Sequence, residues 1–442
     1  MNFAVSITLS TSLFLSLGGT FFSVQCKAGD AKGNGGGALV CPGKNLEILD
    51  YYEARLFGFG EPILGNPDDF MEMANEYLSR LAVFSPRRAQ MFRNRLESFL
   101  SEAVFLDNVP LSEIDDLGVT LPPECVWRQV VNQNSTLLPL GKSYLIDRVL
   151  WSQLSSLQRV GLVFHEIFYR ESTSPTSQGI RRLNALLATK KLNDMTLSER
   201  VLVFKTAGLE WAEAQGLAFL LDPQVEFDST GNTLLKGTAV EGSTLFWKNQ
   251  SMQLRSDLVQ FYKSGSLKTV RIRGYLQMPF RGEFLKIETR EHDRSFLQFH
   301  ENGEFKEGPL GFQKIWRLST ENLKLEFTYI SFDEMGHLRS VANANGFVRL
   351  NSASIKDHSE KSIENDSEVI FYINGALKSF SWGSRQPLTL WAQEVFPRYG
   401  TLVNFDAAGA IQSFVSDKDG SLQLQNQEWL TFKAGEMIHL RP

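Results

Sequence analysis

A motif that recurs six times in the C-terminal half constrains the fold of this 442-residue chain more than any other feature. Each copy consists of a β-preferring apolar residue, any residue, Phe, three further residues and Gly, and successive copies are 33 to 39 positions apart. The six phenylalanines, called here the repeat phenylalanines, are Phe227, Phe261, Phe299, Phe332, Phe371 and Phe405. The six glycines, called the repeat glycines, are Gly231, Gly265, Gly303, Gly336, Gly375 and Gly409.

Each copy of the motif predicts a β-hairpin. Apolar side chains two positions apart lie on one face of a strand, and the Gly supplies the positive φ that a tight hairpin loop needs. One hairpin buries too little surface to be stable alone, so the six must share a core. The sequence therefore predicts an all-β antiparallel domain over 222–442, as a twisted or rolled sheet. A six-bladed propeller is the alternative, but 33 to 39 residues are few for four strands per blade.

The repeats resemble two known families of hairpin repeats. Val259-Gln-Phe-Tyr-Lys-Ser-Gly-Ser-Leu-Lys268 and Val369-Ile-Phe-Tyr-Ile-Asn-Gly-Ala-Leu-Lys378 resemble antitoxin-type and MORN-like repeats. Phe332-Asp-Glu-Met-Gly-His-Leu338 and Phe405-Asp-Ala-Ala-Gly-Ala-Ile411 resemble YD (RHS-type) repeats. The spacing here is longer, so we expect one or two extra strands in each unit. The resemblance implies a surface that binds or encloses a partner, and it carries no catalytic residue into the repeats.

The segment 46–221 predicts a mostly helical domain with short strands. Apolar residues from Phe70 to Leu81 follow the spacing of one helix face, and Ser85-Pro86 is typical of a helix start. Further helices are expected at 155–170 and 178–190, and short strands at 126–131 and 144–150. The predicted fold class is therefore α+β, with a helical domain followed by the hairpin array.

The N-terminus predicts export. Phe3 to Phe22 contains no charged residue and is typical of a secretory signal, with cleavage after Ala28. We expect a signal peptide over 1–28 and a Gly-rich leader over 29–45, in a periplasmic or extracellular protein without a transmembrane segment in the mature chain. An uncleaved membrane anchor is one alternative. Lipid attachment at Cys26 is another, which Gln25 before it disfavours.

Cys41 and Cys125 remain after cleavage and form an even pair. In an oxidising compartment such a pair predicts a disulfide, and two buried thiols are the alternative.

One helix carries the candidate catalytic residues His165, Glu166, Tyr169 and Arg170. A zinc hydrolase of the His-Glu-x-x-His type would need a second His where Tyr169 stands, and the other five histidines all lie beyond 290. The alternative is a buried central helix, because its neighbours from Leu157 to Phe168 are apolar, with Glu166 and Arg170 paired four residues apart. We expect neither a metal nor another cofactor.

The order of Gly33-Asn-Gly-Gly, Cys41, Cys125 and His165-Glu-x-x-Tyr-Arg170 resembles a family of uncharacterised exported bacterial proteins. The resemblance covers roughly 30–185 and implies export, but no activity. The net charge of −5 shows no basic excess that would indicate nucleic acid as a partner. We therefore expect a binding or structural protein of the cell envelope whose partner is an unidentified protein or glycan. A degenerate or atypical metal-dependent hydrolase that uses His165 and Glu166 is the alternative.

Overall fold

A computed structural model describes residues 36–64, 69–107, 111, 118–138, 142–280, 283–289, 296–310, 316–320, 323–349, 360–362, 367–385, 387–391, 393–424 and 426–440. The predicted signal peptide, with Cys26 and Ala28, and residues 29–35 of the predicted Gly-rich leader lie outside these ranges. The described remainder of the leader contains a strand, Gly37–Val40, because it pairs with later strands of the chain. Across the described ranges no helix is long and apolar enough to cross a membrane.

The described part of the N-terminal half contains seven α-helices. They are α1 Leu49–Leu56, α2 Phe70–Phe84, α3 Pro86–Phe99, α4 Arg148–Gln153, α5 Ser156–Tyr169, α6 Gln178–Ala188 and α7 Leu197–Thr206. Local sequence sets several of the boundaries. The Asp69 carboxylate accepts from Met71 N at 2.9 Å and so caps α2, and Thr196 and Glu199 form a capping box on α7.

Short strands accompany these helices. They are β1 Gly37–Val40, β2 Glu47–Ile48, β3 Ala103–Leu106, β4 Val126–Gln129, β5 Val131–Leu138, β6 Lys142–Asp147, β7 Trp211–Ala214 and β8 Leu217–Leu220. They form the sheets β2-β1-β4 and β3-β6-β5 and the hairpin β7-β8. The strand expected at 144–150 ends at Asp147, because the Asp147 carboxylate caps α4 through Leu150 N. The residues 148–150 are therefore helical.

The C-terminal half consists of strands throughout its described residues. They are β9 Glu226–Phe227, β10 Leu234–Thr238, β11 Thr244–Trp247, β12 Gln250–Leu254, β13 Leu258–Phe261, β14 Leu267–Val270, β15 Ile272–Arg273, β16 Leu276–Phe280, β17 Glu283–Ile287, β18 Leu297–Phe299, β19 Phe305–Pro309, β20 Trp316–Thr320, β21 Leu323–Phe327, β22 Tyr329–Phe332, β23 Leu338–Arg349, β24 Glu360–Ser362, β25 Ser367–Phe371, β26 Leu377–Ser381, β27 Leu388–Leu390, β28 Gln393–Val395, β29 Leu402–Phe405, β30 Ile411–Val415, β31 Gly420–Gln423, β32 Trp429–Phe432 and β33 Met437–His439.

The six predicted hairpins form one long antiparallel sheet, called here the main sheet. Its strand order is β33-β30-β29-β26-β25-β23-β22-β19-β18-β14-β13-β10-β9, with β20, β21 and β24 attached beside β23. Each hairpin pairs with the next, so the array is continuous. The α+β class is confirmed, and neither a closed barrel nor the propeller is found in the part of the chain that the structure describes.

A second layer covers the apolar face of the main sheet. The inserted hairpins β11-β12, β16-β17 and β27-β28 lie between successive repeats, as does β20-β21, which extends the main sheet beside β23. The inserted hairpin β31-β32 follows the last repeat. Trp247 of β11 contacts Phe299 with ring centres 5.9 Å apart, and Phe280 of β16 contacts Phe332 at 5.7 Å. These hairpins are the extra strands that the long repeat spacing predicts.

The two halves share a continuous hydrophobic core. Hairpin β7-β8, which precedes the expected boundary at 222, joins them through a bridge between Phe219 and Ala239. From the helical side, the Ser85 hydroxyl donates to Glu213 on β7 at 2.6 Å. The first repeats are therefore anchored on the helices.

Candidate functional site

Helix α5 is the buried centre of the helical half and carries all four candidate catalytic residues. Every residue from Val160 to Phe168 is buried, and the helix packs against α2, α3 and α6. Its apolar neighbours, rather than a cleft, surround His165 and Glu166, whose exposed fractions are 1% and 0%.

His165 pairs with Asp50 on α1, which the sequence analysis did not identify. The distance from His165 Nδ1 to Asp50 Oδ2 is 3.0 Å, and Asn184 Nδ2 on α6 donates to the same carboxylate oxygen at 2.6 Å. Asn184 Nδ2 also donates to Gly161 O at 2.8 Å, and the Tyr77 hydroxyl donates to Asn184 Oδ1. Three helices are thereby tied to α5 through one polar network.

The charges of this network support an ion pair. Burial acts to raise the pKa of Asp50, but the charge and hydrogen bond of His165 and the hydrogen bond of Asn184 outweigh it, and the pKa is lowered. Burial acts to lower the pKa of His165, and the Asp50 carboxylate outweighs it, so this pKa is raised. We conclude that a buried imidazolium faces a buried carboxylate, whose mutual attraction offsets their loss of hydration.

Glu166 is bound from the opposite side by the N-terminal strand. Gly36 N donates to Glu166 Oε1. Only glycine fits at this position, because a Cβ there would lie 2.2 Å from Leu162 Cδ1. Burial raises the pKa of Glu166 to about 7, against the opposing effect of His165. Within the described ranges, Glu166 Oε2 and His165 Nε2 are buried without a hydrogen-bond partner.

Tyr169 is the last residue of α5, and Arg170 follows it as the C-cap. The Tyr169 ring is 6.3 Å from the His165 ring, and Arg170 Nη1 donates to Glu102 Oε2 at 2.8 Å. The expected pair of Glu166 with Arg170 is therefore replaced by a pair with Glu102. The reason is that Glu166 faces β1, whereas Arg170 faces the chain leading into β3.

The cluster has the residue types of an acid–base site but not the shape of one. Within the described part of the chain, no three His, Cys, Asp or Glu side chains are grouped as metal ligands would be. Asp50 occupies His165 Nδ1, and the remaining free atoms are enclosed. In this state the cluster can hold protons, but it offers no surface to a substrate.

A disulfide joins Cys41 to Cys125, as the sequence predicts. Cys41 follows β1 and Cys125 precedes β4, and the two strands pair with Val40 opposite Val126. The bond therefore closes the end of the ladder whose other end brings Gly36 to Glu166.

The repeat residues take the predicted positions with one exception. Five repeat phenylalanines are buried, whereas Phe227 is half-buried because β9 is a two-residue strand at the edge of the main sheet. All six repeat glycines have positive φ, between 73° and 86°. In all six hairpins the strand register shifts by one residue directly beside the Phe.

The other face of the main sheet carries a row of polar residues, called here the polar row. One residue from each of thirteen successive strands lies in register with its neighbours, and twelve of the thirteen are polar. They are Glu226, Lys236, Gln260, Thr269, Gln298, Glu307, Ser331, Ser340, Ile370, Ser379, Asn404, Ser413 and His439. Sequence analysis missed this row because it emerges only when separate repeats are aligned side by side.

The residue after each repeat Phe stabilises the hairpin ends in one of two ways. Tyr262, His300 and Tyr372 reach the next hairpin and contact the carbonyl oxygen of its repeat Phe, at 3.0, 3.0 and 2.6 Å. Asp228, Asp333 and Asp406 instead accept hydrogen bonds from their own loop, for example from His337 N at 2.8 Å. The hairpin ends are thus held in a regular line.

No family model matches the chain, and no curated protein matches it.

Proposed function

We propose that this chain is an exported binding protein of the cell envelope and that the polar face of the main sheet is its binding platform. The observation that carries the proposal is the polar row, which extends over thirteen strands with Ile370 as its one apolar member, while inserted hairpins pack on the opposite face. A sheet needs only one covered face for its core, so the other face can be polar. The polar row combines partly exposed side chains, such as Gln260 and Gln298, with the four buried serines Ser331, Ser340, Ser379 and Ser413. Its in-register extent, however, gives a long surface of repeating geometry that suits an extended partner.

Two features support export in this proposal. The uncharged N-terminal stretch is typical of a signal, and a disulfide is typical of an oxidising compartment. The resemblance to hairpin repeats implies that the platform binds or encloses a partner, and we expect that partner to be a protein or glycan of the envelope.

The platform is tested by photocrosslinking in intact cells of the native host. A photoreactive amino acid replaces Gln298 in the centre of the polar row, and in a control strain it replaces Leu202, which is 61% exposed on α7. We expect adducts with envelope material from position 298 and few from position 202, on a protein found outside the cytoplasm with an N-terminus near Gly29. Equal adducts from both positions, or none from either, would refute the platform.

A hydrolase at His165 and Glu166 is the second candidate. It is favoured by the two buried atoms His165 Nε2 and Glu166 Oε2, which have no hydrogen-bond partner in the described residues. Metal analysis of the purified mature protein and of His165→Ala tests it. Stoichiometric zinc that disappears in the variant would support the hydrolase, and equal trace amounts in both proteins would count against it.

A further inference from the structure

Four cations form a line on the polar face, one in each of four consecutive repeats. Each cation is the extra residue at the register shift of its hairpin, and the next residue along the chain belongs to the polar row. The four residues are called here the basic line: Lys268, Lys306, Arg339 and Lys378. The equivalent residues in the first and last repeats are Leu235 and Gln412. The line therefore belongs to the central repeats alone.

Contacts fix the direction of two of these side chains, and Lys306 and Arg339 take the equivalent register position. Lys268 Nζ is 5.6 Å from the centre of the Tyr262 ring, and Lys378 Nζ is 5.7 Å from the centre of the Tyr372 ring. Each Tyr follows a repeat Phe, so it lies on the face opposite the buried Phe side chain. Lys268, Arg339 and Lys378 are exposed, and Lys306 is half-buried.

None of the four cations forms an ion pair with a described residue, although cations elsewhere in the chain do. Arg88 is paired with Glu171, Arg271 with Asp257 and Lys248 with Glu304. Glu307 and Glu368 lie on the polar face as well, and neither pairs with the basic line. An unneutralised row of cations on a chain of net charge −5 has a cost in repulsion that a bound anion would remove.

The spacing of the line decides which anion fits. Successive cations are two strands apart, or about 10 Å, and the whole line spans about 30 Å. Duplex DNA carries a charge about every 1.7 Å along its axis, which is far denser than the line. Single-stranded nucleic acid also needs free aromatic faces for its bases, whereas the Tyr262 and Tyr372 rings are covered by lysines and their hydroxyls are engaged.

We infer that the polar face binds a linear acidic polysaccharide with widely spaced anionic groups, on the scale of one per disaccharide. The basic line would contact the carboxylates or sulfates, and the partly exposed members of the polar row, such as Gln260, Thr269 and Gln298, would exchange hydrogen bonds with the sugar hydroxyls between them. The inference rests on the proposed platform and adds the chemical class of its ligand.

The test measures binding of the full mature protein to two probes that carry one carboxylate per disaccharide, a hyaluronan decasaccharide and an unsulfated chondroitin decasaccharide. Binding is measured by calorimetry at low and moderate salt. The variant replaces Lys268, Lys306, Arg339 and Lys378 by Gln. Its matched control replaces Lys44, Lys190, Lys205 and Lys433, which are exposed and lie elsewhere, so both proteins lose the same charge. Arg339→Gln alone serves as a second variant with minimal change, and thermal unfolding checks that all variants fold.

We expect the wild type and the control to bind at least one probe, with affinity that falls as salt is raised. The fourfold variant should bind at least about tenfold more weakly, as the loss of several exposed ion pairs implies, and Arg339→Gln should lie between. Equal binding by the fourfold variant, absence of binding to both probes, or equally tight binding of a length-matched single-stranded DNA would overturn the inference. If one of these results is obtained but the crosslinking experiment gives adducts from position 298 and few from position 202, the binding platform is supported and only this class of ligand is rejected.

Discussion

Asp50 keeps a charge on His165 in the middle of the helical half, at a position where water has no access. The pair is buried on both sides, and Asn184 adds a second hydrogen bond to the carboxylate. The attraction is complete only when both groups are ionised. Since the pKa of Asp50 is lowered, its contribution is lost as the pH falls through that pKa, and since the pKa of His165 is raised, its contribution is lost as the pH rises through it. The pair is therefore at full strength between about pH 4 and 6.5.

Replacing Asp50 by Asn should destabilise the protein strongly, because it leaves the buried imidazolium without its counter-charge. We expect a loss of about 3–5 kcal/mol in the free energy of unfolding at pH 6. Urea unfolding of the variant measures it, with the exposed Asp194→Asn as the control. Adding His165→Gln to Asp50→Asn should recover part of the loss. A loss in Asp50→Asn no larger than in the control would show that the ion pair contributes little.

Glu166 should make the stability of the protein depend on pH. Its pKa in the folded state is about 7, above the ordinary value of 4.5, so folding favours the protonated acid. The wild type therefore loses stability as the pH rises from about 4.5 to 7, by roughly 3 kcal/mol at most. Glu166→Gln cannot ionise and keeps an oxygen for Gly36 N, so its stability relative to wild type should rise between pH 5 and pH 8.

Urea unfolding at both pH values measures this difference, and the exposed Glu210→Gln is the control. A constant difference between Glu166→Gln and wild type across the range would contradict the raised pKa.

How far the cluster could be predicted depends on the distance between its members along the chain. His165, Glu166 and their burial follow from the apolar pattern of one helix. Asp50 and Asn184 are 115 positions before His165 and 19 after it, and one sequence carries no signal that links them to it. For the same reason Glu102 was missed as the partner of Arg170. Partner choice in a core is set by tertiary packing, which local patterns do not encode.

At the scale of elements, the hairpins show why local signals are reliable. Phe, loop and Gly are contiguous, so each copy specifies its own turn, and all six repeat glycines have the positive φ that the motif predicts. The inserted hairpins were foreseen only as extra strands, because they share no common motif. The sequence predicts the end of the strand at 150 instead of 147, because the start of α4 depends on a hydrogen bond of Asp147 rather than on hydropathy.

Truncating a repeat Phe should cost stability in proportion to its burial. Phe299 is 1% exposed and contacts Trp247 and Phe305, whereas Phe227 is half-buried at the sheet edge. We expect Phe299→Ala to lower the free energy of unfolding by about 3–5 kcal/mol, as cavity formation in a core does. Phe227→Ala, with the same chemical change, should cost clearly less. Denaturant unfolding measures both. Equal losses would mean that the edge repeat is packed as tightly as the centre.

At the scale of the whole molecule, the chain has one long repeating sheet anchored on a helical body, and the disulfide lies in the helical body beside the ladder of β1 and β4. The bond closes a loop of 84 residues, and the main sheet begins beyond it. Consequently the two halves should respond differently to reduction, although they share a core at β7 and β8.

Removing the disulfide should loosen the cover of Glu166 and leave the main sheet intact. In the double variant Cys41→Ser and Cys125→Ser, the unfolded chain regains the freedom of an 84-residue loop, which corresponds to roughly 4 kcal/mol or less. The local effect should appear first in β1, because β1 is held by its ladder to β4 and by the contact of Gly36 with Glu166. Hydrogen exchange of the oxidised wild type and the variant measures it peptide by peptide.

We expect faster exchange in residues 36–40 and 126–129, with β25 and β26 unchanged as the internal control. If exchange accelerates equally in the repeat strands, the two halves unfold as one unit and the disulfide stabilises the whole chain. If exchange in β1 does not change, pairing with β4 and packing on α5 hold the strand without the covalent bond.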